Sequence, residues 1–110
     1  MAKASQDILR QVREAAAKHI FFTPHALNQM NAPEEMISTQ EVRSAIFYGE
    51  IVEDYPEDVR GPSCLMMGRG NGGRPIHIVC APKPDYLAVI TAYVPTLEQW
   101  ESDWRARRRK

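Results

Sequence analysis

Apolar residues recur at helical spacing in the first part of the chain. In residues 5–18 they return every three or four positions with charged residues between them, which predicts an amphipathic helix with Ser5 as its N-cap. A short apolar run at 20–22 follows. Thr23 and Pro24 then predict the start of a short second helix, because threonine caps helices and proline is favoured in their first turn.

A third helix comes next, and after it the spacing changes to that of strands. Ser38 and Glu41 stand three residues apart, as in a capping box, and Gly49 is the expected glycine stop of this helix. Beyond it apolar and polar residues alternate, which is the period of a strand. Turns rich in glycine or proline separate these runs, so successive strands are expected to be antiparallel. The four predicted strands span residues 50–55, 63–68, 75–81 and 86–94.

The last segment is expected to be helical. Thr96, with Gln99 three residues later, predicts a helix start, and Trp100 and Trp104 then share one face. The fold class is therefore predicted as α+β, with N-terminal helices packed on a four-stranded antiparallel meander sheet and a C-terminal helix. Helices on one face leave the other face of the sheet to be solvated, to bind something or to pair with another subunit.

Length and charge limit the function classes. The 110 residues are enough for one domain, 1–110, and 44% apolar and 25% charged residues are ordinary for a globular protein. Fourteen basic and fourteen acidic residues give a net charge of zero, unlike a strongly basic nucleic-acid binder. The charges are nevertheless segregated into an acidic stretch at 50–58 and a basic tail at 105–110. That tail could contact phosphates, pair with the acidic stretch, bind an acidic partner or stay solvated.

The sequence predicts a cytoplasmic protein without a metal or cofactor. No apolar run is long enough to cross a bilayer, and charged residues interrupt the N-terminal segment where a signal peptide needs an apolar core. Cys64 and Cys80 lie in apolar strands. They are interpreted as buried free thiols rather than as a disulfide, a metal site or a nucleophile.

Two histidines and a tyrosine are the candidates for an active site. Imidazole titrates near neutral pH, so His25 at the start of the second helix and His77 in the third strand could each serve in an active site. The alternatives for His25 are a structural hydrogen bond or metal binding, and the alternative for His77 is a half-buried cross-strand contact. Tyr93 carries a strand hydroxyl, although a strand tyrosine is usually a packing residue with a polar tip.

Four arginines are candidates for phosphate binding. Arg69 and Arg74 flank the glycine-rich turn at 70–73, whose exposed amides could help to hold a phosphate. Arg105 and Arg107 belong to the basic tail. The alternative is a hairpin tip and a tail whose charges are simply solvated. The turn is not the phosphate-binding loop of nucleotide hydrolases, because it lacks the Lys-Ser/Thr pair and no helix follows it.

Six short motifs occur in order along the chain: FTPHA at 22–26, ISTQEV at 37–42, GEIVEDYP at 49–56, GPSCL at 61–65, RPIHIV at 74–79 and ITAYVP at 90–95. The series resembles the small bacterial family catalogued as domain of unknown function 4258. The resemblance covers about residues 21–100, and the first helix and the Arg-rich tail lie outside it. That family is distantly similar in fold to the RelE/ParE and BrnT toxins.

The resemblance implies a toxin-like protein. Several toxins of this type are metal-independent ribonucleases encoded beside an antitoxin, so an RNA substrate and an antitoxin partner are expected. By this similarity His25 and His77 would be acid/base residues and Tyr93 an orienting hydroxyl. Arg69 and Arg74 would clamp the phosphate. The rival expectation is a non-catalytic protein-interaction module, for example a homodimer. A third is a small-molecule binder or an enzyme acting on another substrate.

Overall fold

The fold is a five-stranded sheet with three α-helices against one face. The structure is a computed structural model that describes residues 2–59 and 61–108. No helix within these ranges is long and apolar enough to cross a membrane. The elements are α1 (Ala2–Lys18), β1 (Ile20–Phe22), α2 (Pro24–Asn31), α3 (Thr39–Tyr48), β2 (Glu50–Tyr55), β3 (Ser63–Arg69), β4 (Pro75–Pro82) and β5 (Leu87–Tyr93).

The caps of α2 and α3 confirm two predictions made from the sequence. Thr23 precedes α2, and its Oγ1 accepts the backbone N–H of Ala26 at 3.1 Å. At α3, Ser38 Oγ accepts the N–H of Glu41 at 3.1 Å, while the Glu41 carboxylate accepts the N–H of Ser38 at 3.0 Å. This capping box satisfies amide groups that a helix start otherwise leaves unpaired, so it fixes where α3 begins.

Two other helix ends differ from the predictions. α1 already begins at Ala2, so Ser5 lies inside the helix and is not its N-cap. The alanine-rich start of the chain favours helix, which explains the longer α1. Gly49 does end α3, but its φ of −89° is not the left-handed conformation of a glycine stop. Glycine is required there because a side chain would collide with the carbonyl oxygens of Ala45 and Met67.

The sheet has one strand more than predicted. Strands β2 to β5 form the expected antiparallel meander, and the whole order is β1-β5-β4-β3-β2. The run at 20–22 forms β1, an edge strand that pairs in parallel with β5, with Ile20 opposite Leu87. The prediction of a four-stranded antiparallel sheet is wrong in this respect, and the sheet is mixed. Three residues are too few to show an alternating period, and their partner strand comes last in the chain.

One face of the sheet holds the main hydrophobic core and confirms the α+β class. All three helices contribute to it, through residues such as Val12 of α1, Met30 of α2 and Ile46 of α3, which are at most 2% exposed. Burial of this continuous apolar surface is what holds the helices against the sheet. The strands contribute Cys64, Met66, Ile76, Ile78, Cys80, Leu87, Val89 and Ala92.

The opposite face of the sheet, called the second face below, carries the polar positions. Side chains alternate along a strand, so residues paired across neighbouring strands share a face. The described helices pack on the other face, yet Leu65, Met67 and His77 of the second face are at most 4% exposed. One row on this face runs Glu50, Met67, His77 and Tyr93, and the next runs Glu53, Leu65, Val79 and Thr91.

Residues 95–108, called the C-terminal strap below, cover part of the second face and are not helical. A single turn closes after β5, where the N–H of Trp100 donates to the carbonyl of Thr96 at 3.0 Å. The strap then pairs with itself through an antiparallel bridge between Trp100 and Arg107. Trp104 has a φ of +63°, and a residue in that region cannot continue a right-handed helix. The predicted C-terminal helix is therefore wrong.

Candidate functional site

His77 lies on the second face, beneath the C-terminal strap. Its Nε2 is 2.7 Å from the backbone carbonyl oxygen of Trp104, and its Nδ1 is 3.2 Å from the hydroxyl oxygen of Tyr93. A carbonyl oxygen can only accept, so the arrangement that satisfies both contacts has Nε2–H donating to Trp104 and Nδ1 accepting from the Tyr93 hydroxyl. Both ring nitrogens of a neutral imidazole are thereby used inside the protein.

Two aromatic rings enclose this histidine. The Trp100 ring meets it edge-on at 4.4 Å between ring centroids, and the Tyr93 ring does so at 5.3 Å. The His77 side chain is 0% exposed. Burial lowers the pKa of His77 below its usual 6.5, and burial also raises the pKa of Tyr93. His77 is therefore neutral at neutral pH, and the imidazole has no surface open to solvent.

A second polar group lies on the neighbouring row of the same face. Arg107 of the strap binds the Glu53 carboxylate with two nitrogens, Nε at 2.8 Å and Nη2 at 3.0 Å. The Tyr55 hydroxyl donates to the same carboxylate. The bond from Arg107 lowers the pKa of Glu53, while burial and the bond to Glu53 raise the pKa of Tyr55 to about 12. The carboxylate is therefore ionised and the phenol is protonated.

These side chains form one group, called the sheet-face cluster below. Sequence reasoning singled out His77, Tyr93 and Arg107 but missed Glu53 and Tyr55 as site residues. The alternation at 50–55 places Glu53 and Tyr55 on one face, yet it does not give the register that brings them near His77. The Arg107 guanidinium lies over the Trp100 ring, 4.7 Å from its centroid, so the strap closes the group from above. The cluster consists of Glu53, Tyr55, His77, Tyr93 and Arg107.

His25 does not join the sheet-face cluster. It lies in the first turn of α2 and is exposed. Within residues 2–59 and 61–108, no hydrogen bond or ring contact links His25 to His77 or Tyr93. The structure therefore brings together two of the three predicted catalytic residues, His77 and Tyr93. The catalytic role of all three stays a prediction.

Arg74 serves as a structural clamp. Its guanidinium binds both carboxylate oxygens of Glu41, at 3.2 and 3.1 Å, and donates to the backbone carbonyls of Glu35 and Met36 at 2.9 and 2.7 Å. Glu41 is only 5% exposed. These bonds tie the β3–β4 hairpin to the start of α3 and engage the face of Arg74 that a phosphate would need.

Two of the three described arginines of the basic tail pair with the acidic strand, and the third, Arg108, pairs with Glu101 of the strap. Arg105 forms an ion pair with Glu50, and Arg107 binds Glu53 as above. Of the four fates considered for the tail, the structure shows these two arginines paired with the acidic stretch. Both arginine side chains are still about half exposed. Arg109 and Lys110 lie outside the described residues.

Arg69 and Arg105 line the same cleft. Arg69 is exposed at the end of β3, and its Nη1 donates to the carbonyl of Gly73 at 3.3 Å. The cleft lies between α3 and β3, has a volume of about 380 Å³ and is also lined by Tyr48 and Glu50. Two of the four predicted phosphate ligands are therefore neighbours, whereas Arg74 is held in its clamp with Glu41.

Comparison with known protein families assigns most of the chain. A family model described as "Domain of unknown function (DUF4258)" matches residues 22–94. The chain belongs to this family. The DUF4258 region begins in β1 and ends just after β5, so it contains the sheet except for the start of its edge strand, and it leaves out α1 and the C-terminal strap. No curated protein and no solved structure matches the chain significantly.

The DUF4258 region holds both cysteines in its core. Cys64 and Cys80 face each other across β3 and β4, are 0% exposed and are free, with their sulfur atoms 3.9 Å apart. The contact with Cys64, together with burial, raises the pKa of Cys80. Both thiols therefore behave as small apolar core residues, as interpreted from the sequence. The described residues contain no group of three His, Cys, Asp or Glu side chains placed to hold a metal ion.

Proposed function

We propose that this DUF4258 protein is a non-catalytic interaction module. The observation that carries the proposal is the state of His77, whose two ring nitrogens are both engaged inside the protein and whose side chain is 0% exposed. A general acid or base must come within hydrogen-bonding distance of its substrate, directly or through one water. In its described position His77 fastens the strap to the sheet and cannot reach a substrate. We therefore place the function of the protein on its exposed surface, as a site that binds a partner.

The test is a search for turnover. Wild-type protein is incubated with RNA in the presence of EDTA, and the RNA is resolved on a denaturing gel. We expect no cleavage, even at equal concentrations of protein and RNA. Cleavage by the wild type that disappears in Tyr93→Phe but persists in Tyr86→Phe would overturn the proposal, because the first variant removes a cluster hydroxyl and the second an exposed one.

The second candidate is a toxin-type, metal-independent ribonuclease of RelE/BrnT character. It is supported by the sheet-face cluster, which holds an ionised carboxylate, a histidine, a phenol and an arginine on one face. Arg107 would exchange the Glu53 carboxylate for the substrate phosphate, and Glu53 would accept the ribose 2′-hydroxyl proton. The 2′-oxygen would bond to the adjacent phosphorus as the bond to the 5′-oxygen breaks, and the leaving oxygen would take a proton from water. An antitoxin would be the natural protein partner. Under this candidate the wild type cleaves RNA and the Glu53→Gln variant does not. The His25→Ala variant cleaves more slowly than the wild type if His25 also takes part.

The proposed location is the cytoplasm, and the oligomeric state is open to direct measurement. Two free cysteines with adjacent sulfur atoms fit a reducing compartment, since an oxidising one favours disulfides.

A second copy of the chain is the simplest partner for an interaction module, and it would form a homodimer. Light scattering during size-exclusion chromatography decides this, because the monomer mass is 12.5 kDa. A mass twice as large supports self-association, and the monomer mass calls for a different partner.

A further inference from the structure

The exposed side of α3 forms one continuous surface with the cleft described above. A second depression, of about 410 Å³, is lined by residues of α3 alone and shares Ser44 and Tyr48 with the cleft. Clefts of a few hundred Å³ are the size that holds small ligands or single nucleotides. We call the joined region the α3 surface, and the side chains that matter to it are Arg43, Ser44, Tyr48, Arg69 and Arg105.

The α3 surface is positively charged in a chain without net charge. It holds three arginines against two acidic side chains, Glu50, which pairs with Arg105, and Asp103, whose carboxylate accepts the backbone N–H of Arg105. Arg43 makes no ion pair within the described residues and lies over the Phe47 ring, 5.2 Å from its centroid. The pair between Glu50 and Arg105 is about half exposed, and exposed ion pairs stabilise little. A phosphate could therefore replace Glu50 as the partner of Arg105.

An aromatic ring stands in the middle of these charges. Tyr48 is 87% exposed, which is unusual for a large side chain with an apolar ring. Ser44 lies one helical turn before it, so the two side chains share the same face of α3. A tyrosine ring with open faces can stack on any nucleobase, because every base has a π-face. Arginine, in turn, matches the geometry of phosphate with two parallel N–H groups.

We propose that the α3 surface binds a single-stranded nucleic acid. Tyr48 stacks on one base, while Arg69 and Arg105 hold the phosphates on either side of it, and Arg43 extends the contact along α3. This inference rests on the proposed interaction module and names its partner. It also assigns a role to Glu50, which competes with the phosphates for Arg105 and so weakens binding.

Fluorescence anisotropy of labelled oligonucleotides tests the proposal on the full chain. The probes are a single-stranded RNA and a DNA of the same sequence, about 12 nucleotides long, at about 50 mM salt. Arg69→Ala should weaken binding by about five- to tenfold and lower the slope of log affinity against log salt by about 0.7. The matched control is Arg10→Ala, which removes an exposed arginine of α1 and should leave the affinity unchanged.

Two further variants separate stacking from charge. Tyr48→Ala should weaken binding by about ten- to hundredfold, whereas Tyr48→Phe keeps the ring and should stay within about twofold of the wild type. Glu50→Gln should strengthen binding by about two- to fivefold, because it frees Arg105. Its control is Glu14→Gln, which removes an exposed acid of α1 that lines a different depression.

Three results would overturn the proposal. One is the absence of any anisotropy change with either oligonucleotide at about 100 μM protein. Another is an Arg69→Ala or Tyr48→Ala loss no larger than that of Arg10→Ala. The third is displacement of the labelled oligonucleotide by a polyglutamate peptide as effectively as by unlabelled oligonucleotide, which would show that the ligand is an acidic protein. Each of these leaves the non-catalytic proposal intact. Cleavage of a bound RNA would overturn the non-catalytic proposal and leave the binding surface in place.

Discussion

Glu41 connects the start of α3 to the β3–β4 hairpin. Its carboxylate accepts the N–H of Ser38 at the start of α3, the N–H of Asn71 in the hairpin turn at 2.8 Å, and two nitrogens of Arg74. Burial acts to raise the pKa of Glu41, but the bonds from Arg74, Ser38 and Asn71 outweigh it and lower the pKa to about 2. One buried carboxylate thus links the third helix to the β3–β4 hairpin.

Replacing Glu41 should destabilise the fold strongly. Glu41→Gln keeps the shape but removes the charge that Arg74 faces, so the free energy of unfolding should fall by about 2–4 kcal/mol. Urea unfolding followed by circular dichroism measures this. Glu34→Gln is the matched control, because Glu34 is exposed and should change the stability by less than about 0.5 kcal/mol. Equal effects of the two substitutions would contradict the structural role of Glu41.

The Tyr93 hydroxyl should matter for stability even if it has no part in chemistry. Tyr93→Phe leaves Nδ1 of His77 buried without its donor, so we expect a loss of about 1–2 kcal/mol in the free energy of unfolding. Tyr86→Phe is the control, since Tyr86 is exposed and its ring contact with Phe21 needs no hydroxyl. A loss no larger in Tyr93→Phe than in Tyr86→Phe would mean that the hydrogen bond to His77 contributes nothing.

At the scale of elements, the C-terminal strap is the part that completes the second face. It is attached at successive points, where the Trp104 carbonyl accepts from His77, Arg105 pairs with Glu50 and Arg107 binds Glu53. Trp100 is 1% exposed and packs on His77. The exposed ion pairs set the position of the strap, but burial of the Trp100 ring supplies most of its stabilisation.

The two tryptophans of the strap should respond differently to truncation. Trp100→Ala removes a fully buried ring and should cost about 3–5 kcal/mol. Trp104→Ala should cost less, about 1–2 kcal/mol, because Trp104 is only partly buried and binds His77 through its backbone carbonyl. Thermal and urea unfolding of both variants check the order. A larger cost for Trp104→Ala would show that its side chain, and not that of Trp100, anchors the strap.

Local signals predicted the elements well where their cause lies within a few residues. The capping box at Ser38 and the alternating run at 50–55 are such cases, and both are present in the structure. The strap and β1 depend on partners far away in the sequence, so local period could not reveal them. Trp100 and Trp104 are four residues apart, a spacing typical of a helix. In the structure Trp104 has a left-handed backbone conformation instead, and its carbonyl accepts a hydrogen bond from His77.

The candidate site was predictable only in its residue types. His77 and Tyr93 stand directly opposite each other on β4 and β5, but the sequence alone did not give this register. Glu53 reached the cluster through the register of β2 with β3, which also includes a bulge after Ile51. The pairing of Arg107 with Glu53 required the path of the strap. Charge segregation predicted that such a pairing was possible, and the fold decided which residues formed it.

At the scale of the whole molecule, stability should depend on pH in two separate ranges. The pKa of His77 is lower in the folded protein than its usual 6.5, so the folded state favours the neutral ring. The unfolded chain therefore binds more protons below about pH 6.5, and stability falls as the pH drops through that value. For Glu41 folding favours the charged form of the side chain, whereas for His77 it favours the neutral form. The contribution of Glu41 is complete above about pH 4.5 and is lost as the pH falls to about 2.

Melting temperatures between pH 8 and pH 3 should show both ranges. We expect the first decline to begin near pH 6.5 and a second one below about pH 4.5. Glu41→Gln should make the second decline shallower while leaving the first in place, and the part that remains comes from carboxylates such as Glu53, whose pKa is also lowered in the folded protein. A melting temperature that stays constant between pH 7.5 and pH 5 would contradict the burial of a neutral His77.

The pairing of β1 with β5 also has a consequence for how the protein is made. β1 is complete at Phe22, but its partner ends at Tyr93, so most of the chain must be synthesised before the two can meet. At about 5–20 residues per second, that delay amounts to about 4–14 seconds of translation. During this time the apolar residues of β1 leave the ribosome without their sheet partner. A chain truncated before β5 therefore leaves two strands without the partner that β5 provides, β4 beside the truncation and β1 near the N-terminus.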